Sequence, residues 1–99
     1  MALQTLANSG LNSFVAATTN PPVSDGIEGA TNEMGALVWG NASVEILGLI
    51  EGQNNWIIVD TLGAANQSVS IFWEDYVALN FRSKTGQSET VRVFPRYSG

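Results

Sequence analysis

The sequence predicts an all-β fold, an antiparallel sandwich or barrel of about six strands. Between residues 36 and 94, short apolar runs follow one another at roughly nine-residue spacing. Most alternate apolar and polar residues, the period of a strand with one buried face. Turn-forming Gly, Asn and Ser fill the intervals, and no convincing helix interrupts the series.

Residues 1–17 place Leu3, Leu6, Leu11, Phe14 and Val15 at three- and four-residue steps that would line one face of a helix. Asn8, Ser9 and Gly10 oppose that reading, because all three are poor helix formers. The segment is therefore expected to be either a short amphipathic helix or an extended arm. Its apolar side chains need a partner, which is another subunit or an open end of the chain's own sheet.

Residues 18–35 contain Pro21 and Pro22 and show no sustained periodicity. The two prolines impose extended geometry, so this linker is expected to reach outward. Asp25, Glu28 and Glu33 do not match the spacing of a calcium loop and read as a solvated acidic loop. The expected organisation is an arm and linker over residues 1–35 and a β-sandwich domain over residues 36–99.

Within that domain Leu37, Val38 and Trp39 form a short strand ended by Gly40 and Asn41. In residues 43–51, Val44, Ile46 and Ile50 share one face and Glu45, Leu47, Leu49 and Glu51 the other. Both faces are partly apolar, which suits a central strand. Residues 52–55 supply turn chemistry, and residues 56–62 return as a hairpin partner, with Trp56, Ile58, Asp60 and Leu62 set against Ile57, Val59 and Thr61.

After a loop at residues 63–66, Val69, Ile71 and Trp73 alternate with Ser68, Ser70 and Phe72, so the first three are expected inside. Glu74 and Asp75 make an acidic corner. Next, Val77, Leu79 and Phe81 oppose Tyr76, Ala78, Asn80 and Arg82. The last strand turns Val91 and Val93 inward and Thr90, Arg92 and Phe94 outward, and Pro95 is expected to end it.

Ninety-nine residues without cysteine or histidine cannot build a disulfide framework, a thiolate site or a histidine-activated nucleophile. Glu74 and Asp75 are the only adjacent carboxylates, and at a corner they are solvated rather than poised to share a proton. A non-enzymatic protein without metal or cofactor is expected. The net charge of -5 argues against nucleic acid as a partner. No run approaches the ~18 apolar residues of a membrane span, and the N-terminus lacks the basic region of a secretory signal.

The four cations, Arg82, Lys84, Arg92 and Arg96, all fall in the last eighteen residues. They read as a basic face that meets an acidic partner, and Arg82 and Arg92, expected outward on neighbouring final strands, are expected to pair with Glu45 or Glu51 or to meet that partner's rim. Trp56, with Asn54 and Asn55 in the adjoining turn, could stack and hydrogen-bond a sugar, although Trp56 and Trp73 are most simply core.

The stretch 44–56, VEILGLIEGQNNW, followed by Val59-Asp60-Thr61-Leu62, by YVALNFR at 76–82 and by Val91-Arg92-Val93, resembles the sandwich cores of small structural proteins in tailed-phage virions. Those cores are similar to discoidin-type jelly rolls. The resemblance implies a jelly-roll-like sandwich and a capsid decoration, or cement, protein located in the virion and assembled in the host cytoplasm. It implies the major capsid protein or other virion subunits as partners and a homo-oligomer, such as a trimer. Leu3, Leu6, Leu11, Phe14 and Val15 would then make arm contacts, and Arg82, Lys84, Arg92 and Arg96 basic-face contacts. Removing residues 1–17 is expected to weaken particle binding and leave the sheet folded. The alternative is a carbohydrate-binding or adhesion module of a phage tail or fibre, using Trp56, Asn54 and Asn55.

Overall fold

A computed structural model of the chain describes residues 4–6, 11–29, 34–40, 43–63 and 67–97. Nine strands run in the order β1 (Gln4–Thr5), β2 (Asn12–Val15), β3 (Ile27–Glu28), β4 (Met34–Trp39), β5 (Val44–Leu49), β6 (Ile57–Leu62), β7 (Ser68–Phe72), β8 (Ala78–Ser83) and β9 (Thr90–Tyr97). Single 3-10 turns lie at Val23–Asp25 and Trp73–Asp75. The predicted all-β sandwich is present. One sheet has the order β1-β3-β8-β5-β6 and the other β2-β9-β4-β7.

The pairing has a single logic. β2 pairs with β9, β3 with β8, β4 with β7 and β5 with β6, all antiparallel. Asn12 faces Val93, Ile27 faces Leu79, Ala36 faces Ile71 and Val44 faces Leu62, and each pair is equidistant from Gln53 to within a residue. The chain is thus one long hairpin folded about the turn after β5, where Gly52 takes a positive φ of 86° and Gln53 N–H donates to the Ile50 carbonyl. Successive ladders of this hairpin alternate between the sheets, the jelly-roll arrangement.

Three further ladders complete the sheets: β4 with β9 and β5 with β8, both antiparallel, and the short parallel pairing of β1 with β3. β5 is central between β8 and β6, as its two apolar faces predict. The core between the sheets holds Val38, Ile71, Val91 and Val93 from one layer and Val44, Ile46, Leu62, Leu79 and Phe81 from the other. Trp73 closes one end, its indole N–H donating to the Ile27 carbonyl at 3.2 Å. No buried side-chain nitrogen or oxygen among the described residues lacks a partner.

The N-terminal third departs from the expected free arm. Leu6 is 0% exposed, and Ala16 and Ile27 are buried with it in the same core. Phe14 packs there too, its ring 6.1 Å from that of Phe81. The chain then crosses between layers: Ala17 N–H donates to the Phe81 carbonyl and Ser83 N–H to that of Ala17. Leu6, Phe14 and Ala16 find their partner in the chain's own sheets, whereas Leu11 and Val15 stay exposed, so no packing boundary lies at residue 35. The helical alternative is replaced by strands over the residues described.

The linker also turns inward. Pro21 is buried, Trp56 Nε1–H donates to its carbonyl at 2.9 Å, and Asn80 Nδ2–H donates to the Asp25 carbonyl at 3.2 Å. Residues 18–26 thereby lie across the outer side of the five-stranded sheet. This cover explains why Leu47, Leu49 and Ala78 are buried although they stand outside the inter-sheet core. A register shift between Ile46 and Leu47 against β6 leaves Ile58 exposed.

Pro95 does not end the last strand. It sits opposite Ala36 in the β4 ladder, beyond the point where β2 stops at Asn12 and Val93. Among the described residues no strand pairs with that edge of β9 there, the position in which a strand tolerates a residue without an N–H.

Candidate functional site

Alternation in the four-stranded sheet sends Val38, Val91, Val93 and Ile71 into the core and their neighbours out. One outward row runs Ser13, Arg92, Trp39, Ser68 across β2, β9, β4 and β7. The next row holds Phe94, Leu37 and Ser70, and the one beyond it Gly35 and Phe72. Leu11 precedes β2, and Val15 ends it.

Among the described residues, no segment covers the outer apolar face of this layer. Phe72 is 65% exposed, Val15 68%, Leu11 52% and Phe94 44%, while Leu37 and Trp39 are half-buried between them. An exposed apolar area built from several neighbouring strands marks an interaction surface, because isolated apolar residues on a surface rarely align in this way. A hollow of about 400 Å³ lies on the same face, lined by Trp39, Gly40, Gln67, Ser68 and Arg92.

The electrostatics separate the two layers. β2, β4, β7 and β9 contain no Asp or Glu and carry Arg92 and Arg96. Glu28, Glu45 and Asp60 fall in strands of the other sheet, and the remaining carboxylates among the described residues lie outside the strands. In a chain of net charge -5, the apolar face is thus the one free of acidic strand residues.

The residues singled out from the sequence are dispersed. Leu3 lies outside the described residues, Leu6 is enclosed in the core and Phe14 is half-buried against it, so neither Leu6 nor Phe14 is presented to another molecule. Leu11 and Val15 are exposed and join the apolar face.

The four cations do not form one face. Arg82, on β8, donates through Nε to Glu45 Oε1 at 2.9 Å and through Nη1 to Asn20 Oδ1 at 2.7 Å, on the outer side of the five-stranded sheet. Arg92 and Arg96 lie on β9 in the other sheet, and Lys84 lies in the connection between them. β8 and β9, consecutive in sequence, belong to different layers, so cations that are near in sequence are separated in space.

Trp56 is half-buried beneath the crossing segment, its N–H engaged by the Pro21 carbonyl and its ring edge against Gly26. It is neither inter-sheet core nor an open stacking platform. Asn54 and Asn55 are exposed in the turn. Glu74 and Asp75 are exposed on the 3-10 turn beside Glu51, Tyr76 and Val77, where they border a second hollow. No group of three potential metal ligands occurs among the described residues. No described helix is long and apolar enough to cross a membrane.

Sequence reasoning turned Phe72, Arg92 and Phe94 outward but did not join them. The usable signal was a large aromatic at an outward position on each of two strands. Comparisons with protein-family models, with curated proteins and with solved structures return no match. The jelly-roll assignment therefore rests on the strand order and register described above.

Proposed function

We propose that this chain is a non-enzymatic structural protein of a tailed-phage virion, a decoration or cement subunit that docks on capsid proteins through the outer face of its four-stranded sheet. The observation that carries the reading is that face: Leu11, Val15, Leu37, Phe72 and Phe94 on a rigid layer without acidic strand residues. Each apolar side chain fully covered by a partner contributes roughly 1.5–3 kcal/mol before ordering costs. The backbone ordering cost is small, because the ladders already hold the strands that carry Val15, Leu37, Phe72 and Phe94. Arg92 and Arg96 suit an acidic rim on the partner.

The docking surface thus moves from the N-terminal arm and the basic face to one sheet. Jelly rolls also serve as lectin domains and enzymes, so the fold by itself does not select the role. The resemblance of residues 44–56, 59–62, 76–82 and 91–93 to virion sandwich cores supports the virion reading.

Cosedimentation of the purified chain with tailed-phage particles lacking it tests this proposal. Saturable binding to a fixed number of sites per particle is expected, and a chain that stays in the supernatant at every concentration contradicts it. The adhesion alternative is favoured by one observation, the hollow in which half-buried Trp39 stands beside Gln67, Ser68 and Arg92. Glycan titration followed by tryptophan fluorescence tests that reading, with Trp39→Ala as the variant that removes any response.

A further inference from the structure

We propose that β7 is a self-pairing edge: two copies of this chain join antiparallel along Ser68–Phe72 to form one continuous eight-stranded sheet. The inference concerns only a second copy of the chain and stands apart from the virion reading.

β7 is the terminal strand of its sheet, and among the described residues no other strand pairs with its outward side. Sheet edges carry unpaired amides and carbonyls, and proteins ordinarily blunt them with charge, proline or a bulge. β6, the neighbouring edge of the other sheet, has such devices in Asp60 and in the register shift of its ladder. β7 has none of them. It reads Ser-Val-Ser-Ile-Phe, and its ladder with β4 is regular from Gly35 opposite Phe72 to Trp39 opposite Ser68.

The strand complements itself. Antiparallel partners share a face, so a two-fold axis must bring inward residues opposite inward ones. Centring the axis on Ser70 uses all five residues: Ser70 meets Ser70 of the other copy, Val69 meets Ile71, and Ser68 meets Phe72. Each exposed Phe72 then stands beside a small Ser68 whose neighbour in the same row is Trp39. That is the rim of the hollow lined by Trp39, Gly40, Gln67, Ser68 and Arg92. An exposed aromatic and a hollow at opposite ends of one strand are what an isologous contact requires. The surplus negative charge does not oppose it, since neither β7 nor β4 carries a carboxylate.

The absence of cysteine makes the register directly measurable. Opposed residues of an antiparallel pair lie about 4.5–5.5 Å apart, within the range a disulfide spans. Ser70→Cys is therefore expected to form a disulfide dimer under mild oxidation at least about tenfold faster than Ser68→Cys, whose two copies would be about 13 Å apart along the strand. Ser13→Cys, on the opposite edge of the same sheet, is the second slow control.

By light scattering, the wild-type mass should rise toward two copies with concentration. Ser70→Lys places like charges on the axis and should weaken association at least about tenfold, with circular dichroism showing an unchanged fold. Equal crosslinking rates at positions 70, 68 and 13 overturn the proposal, as does a closed trimer that persists on dilution.

Discussion

Gly48 shows how tightly single residues are held in this sandwich. A Cβ added there would lie 2.6 Å from Val59 Cγ2 and 2.8 Å from Tyr76 Cδ1. Gly48→Ala should therefore cost roughly 1–3 kcal/mol through overpacking, seen as a lower urea midpoint with an unchanged slope. Gly26 is constrained differently, by the strap that crosses the five-stranded sheet. A Cβ at Gly26 would lie 2.7 Å from Ala78 Cβ and 3.1 Å from Trp56 Cη2. Gly26→Ala should lift the strap and expose Trp56, giving a red-shifted tryptophan emission while Trp73 stays in the core. Emission identical to wild type would mean that the strap does not rest on Trp56. Neither constraint is legible in the sequence, where each glycine reads as an ordinary turn or strand residue.

At the scale of elements, the strands from β4 onward were readable and those before it were not. β7 and β9 announce themselves because Val69 and Ile71, or Val91 and Val93, alternate with polar residues over a full strand length. β1 and β3 are two residues each, too short for any period to register. β2 has four residues, and its one core-facing aromatic, Phe14, sits beside the exposed Val15, which makes the apolar pattern resemble a helix. What makes these segments strands is tertiary: β3 adds to β8, β1 to β3 and β2 to β9, and Leu6, Phe14, Ala16 and Ile27 fill the core.

A specific stability prediction follows from this enclosure. Leu6→Ala should destabilise the whole sandwich by about 2–5 kcal/mol in chemical denaturation, as expected for a buried leucine, whereas a free arm would show no change. Removal of residues 1–17 should abolish cooperative unfolding, because it takes away β2 and part of the core together. A truncated chain with a wild-type melting transition would restore the independent arm.

For the whole molecule, the decisive feature is the division of labour between layers. The protein measures 34 × 27 × 18 Å, about the thickness of two packed sheets with their side chains. One layer carries acidic strand residues and the strap, and the other carries the apolar face with Arg92, which no described segment covers. The charge imbalance along the sequence, with every cation in the last eighteen residues, was visible from the start. Its meaning was not, because Arg82 and Arg92 read as neighbours until the topology places them in opposite sheets. If Arg92 and Arg96 meet an acidic rim, particle affinity should fall severalfold between low and physiological salt while an apolar contribution persists. Salt-independent binding would assign the contact to apolar residues alone.

The most direct test of the docking face compares exposed large apolar residues on the two layers. Phe72→Ser with Phe94→Ser should leave the fold intact at a modest cost in stability, since Phe72 is 65% and Phe94 44% exposed in the free protein. Ile58→Ser, on the five-stranded sheet and equally exposed, is the matched control. Measured as a binding isotherm on particles lacking the chain, the double variant should lose affinity at least about tenfold. The control should bind as wild type. Wild-type affinity of the double variant, or an equal loss in the control, would contradict the assignment of the four-stranded sheet as the binding surface.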